Sequence, residues 1–222
     1  MIKKRPIITL DGPAASGKGS LSESLAKELN LFHIETGLFY RSLAKNYLDF
    51  KNNNHSLVKF LDKIEGEKFF IKNINKKNLY TNSVTEKASL LAKKNTVRKF
   101  ILRIQKYYIK NYSPLYNGLI LDGRDCGTII APEADIKIFL TAKLEIRARR
   151  RFIQIYEKRS DVTYENILKD ISDRDKRDVK RKNSPLVKAE DAILIDNSKI
   201  SFYDTINVVK KIIFSKLPYL KN

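Results

Sequence analysis

Short apolar runs alternate with longer stretches in which apolar residues recur every three to four positions. That alternation predicts strands interleaved with helices. Ile7 to Asp11 is a compact apolar run that enters a glycine-rich loop. From Ser20 to Leu29 the spacing turns helical, with Leu21, Leu25, Ala26 and Leu29 on one face. Leu31 to Glu35 predicts a second strand and Leu38 to Phe50 a second helix, followed by a polar break at Lys51–Asn54. Residues 60 to 85 are rich in Lys and Asn, carry brief β-like runs such as Lys68–Lys72, and read as an insertion. Glu86 to Asn111 carries one long helical pattern. Strands are predicted again at Leu119–Asp122 and Ile136–Ala142. Two charged helices follow at about 143–158 and 164–182, split by a polar turn at Arg159–Thr163. Ala192–Asp196 is a last strand, and Ser201–Ser215 a closing amphipathic helix halted near Pro218. Five short apolar strands separated by helices predict an α/β fold, a five-stranded parallel sheet with helices on both faces.

Composition changes this picture little. The 222 residues suit a single domain with its own core. The net charge is +19, which predicts attraction to anions, whether nucleic acid, a membrane surface or phosphorylated small molecules. Yet 31 of the cations are Lys and only 13 are Arg, and Lys, Asn and Ile together fill one third of the chain. An AT-rich coding sequence gives that bias whatever the function, so the lysines read first as a solvated coat. The arginines carry more information, because a planar guanidinium does what a point charge cannot. The single cysteine, Cys126, excludes an internal disulfide framework and fits a reducing cytoplasm. With only His33 and His55 beside it, a His/Cys metal site is not expected. No apolar stretch is long enough to span a membrane, and the segment Met1–Leu10 does not read as a signal peptide.

The chemistry concentrates in a few places. Three of the eight glycines fall in Gly12-Pro13-Ala14-Ala15-Ser16-Gly17-Lys18-Gly19-Ser20, between a strand and a helix. The spacing of Gly12, Gly17 and Lys18 is that of a phosphate-binding loop. Glycines let successive amides converge on phosphate oxygens, the helix N-terminus adds partial positive charge, and Lys18 supplies a mobile cation. Ser20 is the hydroxyl available to Mg²⁺. Asp122, at the carboxyl end of a buried strand, is a candidate for the same ion, with Asp11 as its rival. Arg124 and Asp125 follow in the crevice beyond the strand ends. Arg174, Asp178 and Arg181 share one helical face, which would also describe an exposed ion-pair ladder. Arg147, Arg150 and Arg151 cluster on the preceding helix, with Arg159 at the turn. Two such helices suit a lid over phosphates, although a nucleic-acid-binding hairpin would look similar. His33 reads as a satisfied core residue, His55 as solvated, and Cys126 as a packing residue.

At this point the chain resembles the bacterial cytidylate kinases from about Pro6 to Ser198. The resemblance rests on Thr9-Leu-Asp-Gly-Pro-Ala-Ala-Ser-Gly-Lys-Gly-Ser20, Thr36-Gly-Leu-Phe-Tyr-Arg41, Gly123-Arg-Asp-Cys-Gly-Thr128, Asp173-Arg-Asp-Lys-Arg-Asp178 and Ser184-Pro-Leu, in that order. It implies a nucleoside monophosphate kinase fold with its core at 1–36, 86–142 and 183–222. A monophosphate-binding region with a β-containing insert would span about 37–85, and a lid about 143–182. It implies ATP with Mg²⁺ as donor and CMP or dCMP as acceptor, in a cytoplasmic monomer with no call on membrane or nucleic acid. By position, Thr36, Arg41 and Arg124 would hold the acceptor, and Ser89, Arg98 and Asp125 would read cytosine. Arg174, Asp178 and Arg181 would contact the ribose or the transferring phosphate, and Arg150, Arg151 and Arg159 the ATP phosphates. Lys18, Arg124, Arg174 and Asp122 would carry catalysis. Glu35 stands where the family often has Asp, and Cys126 where it has a larger apolar residue. The alternatives are a phosphate-loop kinase of another small acceptor, such as UMP or shikimate, and a basic nucleic-acid-binding protein.

Overall fold

A computed structural model describes residues 5–51, 57–64, 78–157 and 162–221. Two compact units emerge: residues 1–34 with 113–222, and residues 35–112. The segment 86–112, expected in the core, groups with the second unit.

The first unit is built on five strands: β1 (Ile7–Asp11), β2 (Leu31–Glu35), β3 (Gly118–Gly123), β4 (Ile136–Thr141) and β5 (Ile193–Asp196). They form one parallel sheet in the order β2-β3-β1-β4-β5. β1 sits centrally, with Leu10 beside Asp122 on one side and Ile138 on the other. From Ile8 to Asp11 the strand is buried, with Ile8 and Leu10 fully so. This explains why β1 and β3 read as continuous apolar runs with no alternation. Helices α1 (Lys18–Glu28) and α8 (Phe202–Lys216) supply Leu21, Leu25, Val209 and Ile213 to the same core. Helices α6 (Leu144–Tyr156) and α7 (Tyr164–Lys180) form a hairpin whose apolar residues, among them Ala148, Ile167 and Ile171, enclose Ala14 of the glycine-rich loop.

The second unit holds α2 (Thr36–Lys51), α3 (Leu57–Asp62), α4 (Asn82–Leu91) and α5 (Asn95–Asn111). Aromatic pairs bind its helices together: Phe39 meets Tyr108, and Tyr47 and Phe50 both meet Phe60. The single helix expected over Glu86–Asn111 is two. The chain tightens after Leu91, where the Lys93 and Lys94 amides donate to Leu90 O and Leu91 O, and Lys94 is extended at the start of α5. The expected β-like run at Lys68–Lys72 lies outside the described residues.

Candidate active site

β1 delivers the chain to the carboxyl edge of the sheet, beside the end of β3, where an open parallel sheet leaves a crevice. Gly12 leaves the strand with φ +153, and a Cβ there would lie 2.0 Å from Leu140 O, so no side chain fits. Ala15 (φ 58) and Gly17 (φ 90) are both left-handed. Such turns gather successive amides into an anion-binding concavity. The left-handed Gly17 also ends the loop, so α1 begins at Lys18, two residues before the expected Ser20, and its N-terminus faces the loop.

Lys18 is buried, and its Nζ donates to Pro13 O at 3.1 Å, within the loop. Burial first, then Arg124, lowers its pKa to about 7; Asp122 opposes, Arg174 adds to the lowering, and Asp178 opposes. Ser16 is buried and Ser20 exposed, and the Ser16 Oγ has no hydrogen-bond partner among the described residues. The loop is braced from outside: Asn197 Nδ2 donates to Ser16 O at 3.2 Å.

Asp11 and Asp122 differ in what they hold. Both Asp11 oxygens accept backbone amides, from Cys126 at 2.9 Å and Gly127 at 2.8 Å. Burial raises the Asp11 carboxyl pKa against the pull of those two bonds. Asp11 therefore fastens the segment after β3 to the end of β1. That segment is a π-helical turn, Cys126–Ile130, which spacing alone did not reveal. Asp122 is buried, and its Oδ2 lies 2.6 Å from His33 Nε2. His33, read from sequence as a satisfied core residue, does have a hydrogen-bond partner, Asp122, but is half-buried on β2. Ser20 and Asp122 are hard oxygen donors of the kind Mg²⁺ accepts, so the residues fit the ion. Cys126 is fully buried, and burial together with Asp11, Asp125 and Asp122 pushes its thiol well up, which makes it inert.

Arg124 Nε donates to Asp178 Oδ2 at 2.8 Å, and its Nη1 to Gly123 O at 3.2 Å. Burial works to raise the Asp178 carboxyl pKa, but Arg124, Arg174 and Arg181 outweigh it and hold the group ionised below the ordinary value. Arg181 is not on the helix: it caps α7 in an extended conformation, and its Nε donates to Ser184 O. It nevertheless stays with the cluster, 3.6 Å from Asp178 and 3.9 Å from Asp125. On the hairpin, Arg150 grips Asn197 through Nη1 to Oδ1 at 3.0 Å and Nη2 to O at 2.8 Å. Arg151 donates to Gln154 Oε1 at 2.8 Å, and Arg159 lies outside the described residues.

The remaining candidates belong to the second unit. Thr36 is buried at the start of α2. Arg41 donates from Nη1 to Leu79 O at 3.0 Å and to Thr85 Oγ1 at 2.6 Å, and stacks 4.7 Å from the Tyr80 ring centroid. The Tyr80 hydroxyl donates to the Glu35 carboxylate at 2.7 Å. Tyr80 and Glu35 thus orient Arg41, a role the sequence signalled only through the departure at Glu35. Ser89 is half-buried on α4. Arg98 is buried on α5, donates to Ala92 O at 3.3 Å, and lies 5.7 Å from the Tyr40 ring centroid.

Residues 8–215 match the family model described as cytidylate kinase. The chain is 38% identical over 205 residues to the cytidylate kinase of Bartonella tribocorum, covering 90% of each. It is 36% identical to that of Fusobacterium nucleatum, covering 92% of this chain and 95% of the relative. Caldicellulosiruptor saccharolyticus has a cytidylate kinase 35% identical, covering 95% and 96%. Among solved structures, TT1252 from Thermus thermophilus is similar with a TM-score of 0.50 at 16% identity, covering 96% of this chain and 99% of that one, a likeness of fold alone.

Proposed function

Because the chain belongs to the cytidylate kinase family, we propose that it transfers the γ-phosphoryl group of ATP to CMP, and to dCMP, giving ADP and the cytidine diphosphate. The bond between the γ-phosphorus and the β–γ bridging oxygen breaks as an oxygen of the acceptor phosphate bonds to that phosphorus. One observation carries the reading. The loop lysine, Lys18, lies within the electrostatic reach of Arg124, Arg174, Asp122 and Asp178, so the donor loop and the cationic cluster meet at one place. The acceptor is already an oxyanion, so no strong general base is required. The protein's task is positioning and charge stabilisation.

In this reading Lys18 and the loop amides hold the transferring end of ATP. Arg124 and Arg174 meet charge that develops between donor and acceptor, and Asp178 keeps Arg124 aligned through the Nε hydrogen bond. Arg41, held by Thr85 and Tyr80, grips the acceptor phosphate, and Thr36 contributes from the start of α2. Ser89, Arg98 and Asp125 read cytosine, and Arg181 sets the carboxylate of Asp125 from 3.9 Å. Ser20 and Asp122 would hold Mg²⁺, which neutralises phosphate charge. Among the described residues no helix is long and apolar enough to cross a membrane. A lone buried thiol at Cys126 suits the cytoplasm.

The test is ADP release measured with CMP, dCMP, UMP, AMP and shikimate. CMP and dCMP should lead, and preference for UMP or shikimate would overturn the proposal. Asp125→Asn should sharpen the result. A carboxylate accepts from the cytosine amine but opposes the uracil carbonyl, whereas an amide can rotate to serve either. Each such mismatch is worth about 10–10² in rate, so the variant should narrow the CMP/UMP ratio of kcat/KM by up to that factor. An unchanged ratio removes Asp125 from base recognition.

A further inference from the structure

Ala14 is held through both its backbone N–H and its C=O by one pair of side chains from the α6–α7 hairpin. Its N–H donates to Asp175 Oδ1 at 3.0 Å, and its C=O accepts from Arg147 Nη1 at 2.9 Å. The two side chains bind each other, Arg147 Nη1 to Asp175 Oδ2 at 2.5 Å, closing the ring. Arg147 Nε is also fixed, donating to Ala142 O at 2.8 Å at the foot of α6. The pair is sheltered, with side-chain exposures of 8% for Arg147 and 17% for Asp175, so its hydrogen bonds face little competition from water. Around it, Ala14 and Ala15 share an apolar cluster with Ala148, Ile167, Ile171 and Tyr164 of the hairpin. Ala15 is the loop's left-handed non-glycine residue, at φ 58. A side chain in that conformation is strained, and the cluster is what the Ala15 methyl packs against.

We propose that Asp175, through Arg147, is a positioning residue of the phosphate loop. It fixes the Ala14 peptide so that Ala15 and the amides that follow stand ready for the nucleotide phosphates, and it ties loop geometry to the root of the α6–α7 hairpin. Asp175 stands between Arg174 and the Arg177–Asp178 pair in sequence but turns to the loop. Neighbouring residues of one helical turn thereby serve the cationic cluster and the donor loop separately. The inference rests on the reading of this loop as the ATP site. It predicts that damage to the pair falls on the donor nucleotide and spares the acceptor. A merely structural ion pair would lower stability and leave the two KM values in their original ratio.

The experiment compares wild type, Asp175→Asn, Arg147→Lys and the double variant. The readouts are ADP affinity by calorimetry and KM for ATP and for CMP, all well below each protein's melting temperature. Asp175→Asn keeps an oxygen for the Ala14 amide but loses the charge that Arg147 requires. Arg147→Lys keeps the charge but lacks the Nε donor to Ala142 O, so nothing anchors its single ammonium between Ala14 O and Asp175. Each should weaken ADP binding and raise the KM for ATP about tenfold or more, the loss of one charge-assisted hydrogen bond. The KM for CMP should stay within about twofold, and the double variant should be little worse than either single one. If Asp175→Asn does not fold, Arg147→Lys alone gives the same readout. Unchanged ADP affinity in a folded variant, or equal rises in both KM values, overturns the proposal. Failure of the wild type to bind ADP instead overturns the reading of the loop itself, and the inference with it.

Discussion

Lys18 is a cation that the folded protein holds uneasily. Its pKa falls from the ordinary 10.5 to about 7 on burial beside Arg124. The unfolded chain keeps that proton where the folded one has released it, so this group makes stability rise as the pH climbs from about 7 towards 10.5. A bound polyphosphate reverses the balance, because it favours the ammonium. Binding of ADP at about pH 8 should therefore take up a proton. Calorimetry in buffers of different ionisation enthalpy measures this, and Lys18→Met should abolish it. A wild type without buffer dependence would refute the assignment. The glycines of the same loop are unequal. A Cβ at Gly12 would strike Leu140 O at 2.0 Å, whereas at Gly19 it would meet nothing within 4 Å. Gly12→Ala should cost about 2–3 kcal/mol in urea unfolding. Gly19→Ala, inside α1, should gain up to about 1 kcal/mol. Both residues stand in one glycine-rich stretch of sequence, and what separates them is the positive φ of Gly12 and the approach of Leu140 on β4.

Two elements escaped the sequence pattern because a side chain outside each segment satisfies part of its backbone. Nothing local marks the π-turn Cys126–Ile130, since its N-terminal amides are satisfied by Asp11, more than a hundred residues away. The break between α4 and α5 holds no Gly or Pro, and its open carbonyl at Ala92 accepts from the Arg98 side chain. A helical periodicity running through such a break looks continuous. The π-turn also yields a prediction. Asp11→Asn leaves one amide facing a donor instead of an acceptor, which costs about 1–3 kcal/mol. The turn should shift, carrying Arg124 and Asp125 with it. Unfolding midpoints should fall, and the KM for CMP should rise while ADP affinity stays near its original value. A variant that loses stability with an unaltered KM would confine Asp11 to the fold.

At the scale of the whole molecule, the net charge is +19 and lysine carries most of the positive groups. Lys99, Lys106, Lys110 and Lys211 are exposed on helices α5 and α8, as a solvated coat requires. Changing them to Gln should alter stability by no more than about 0.5 kcal/mol each and leave kcat/KM for CMP near its original value, as steady-state kinetics would show. A large fall in turnover would mean that the lysine coat serves the substrate after all. The five strands, the phosphate loop and the order of the arginine motifs were legible in the sequence, because each depends on residues close in the chain: apolar runs, glycine spacing, a lysine at a helix start. It could not determine the partners of those arginines. Arg150 faces Asn197, Arg147 faces Ala14 and Asp175, and Arg181 reaches Asp125 from beyond its helix. Nor could it separate Asp11 from Asp122, since both are acids at strand ends. Those choices were left to the tertiary structure, because a buried charge takes whichever donor or acceptor the packed backbone brings within about 3 Å, and sequence distance does not constrain that meeting.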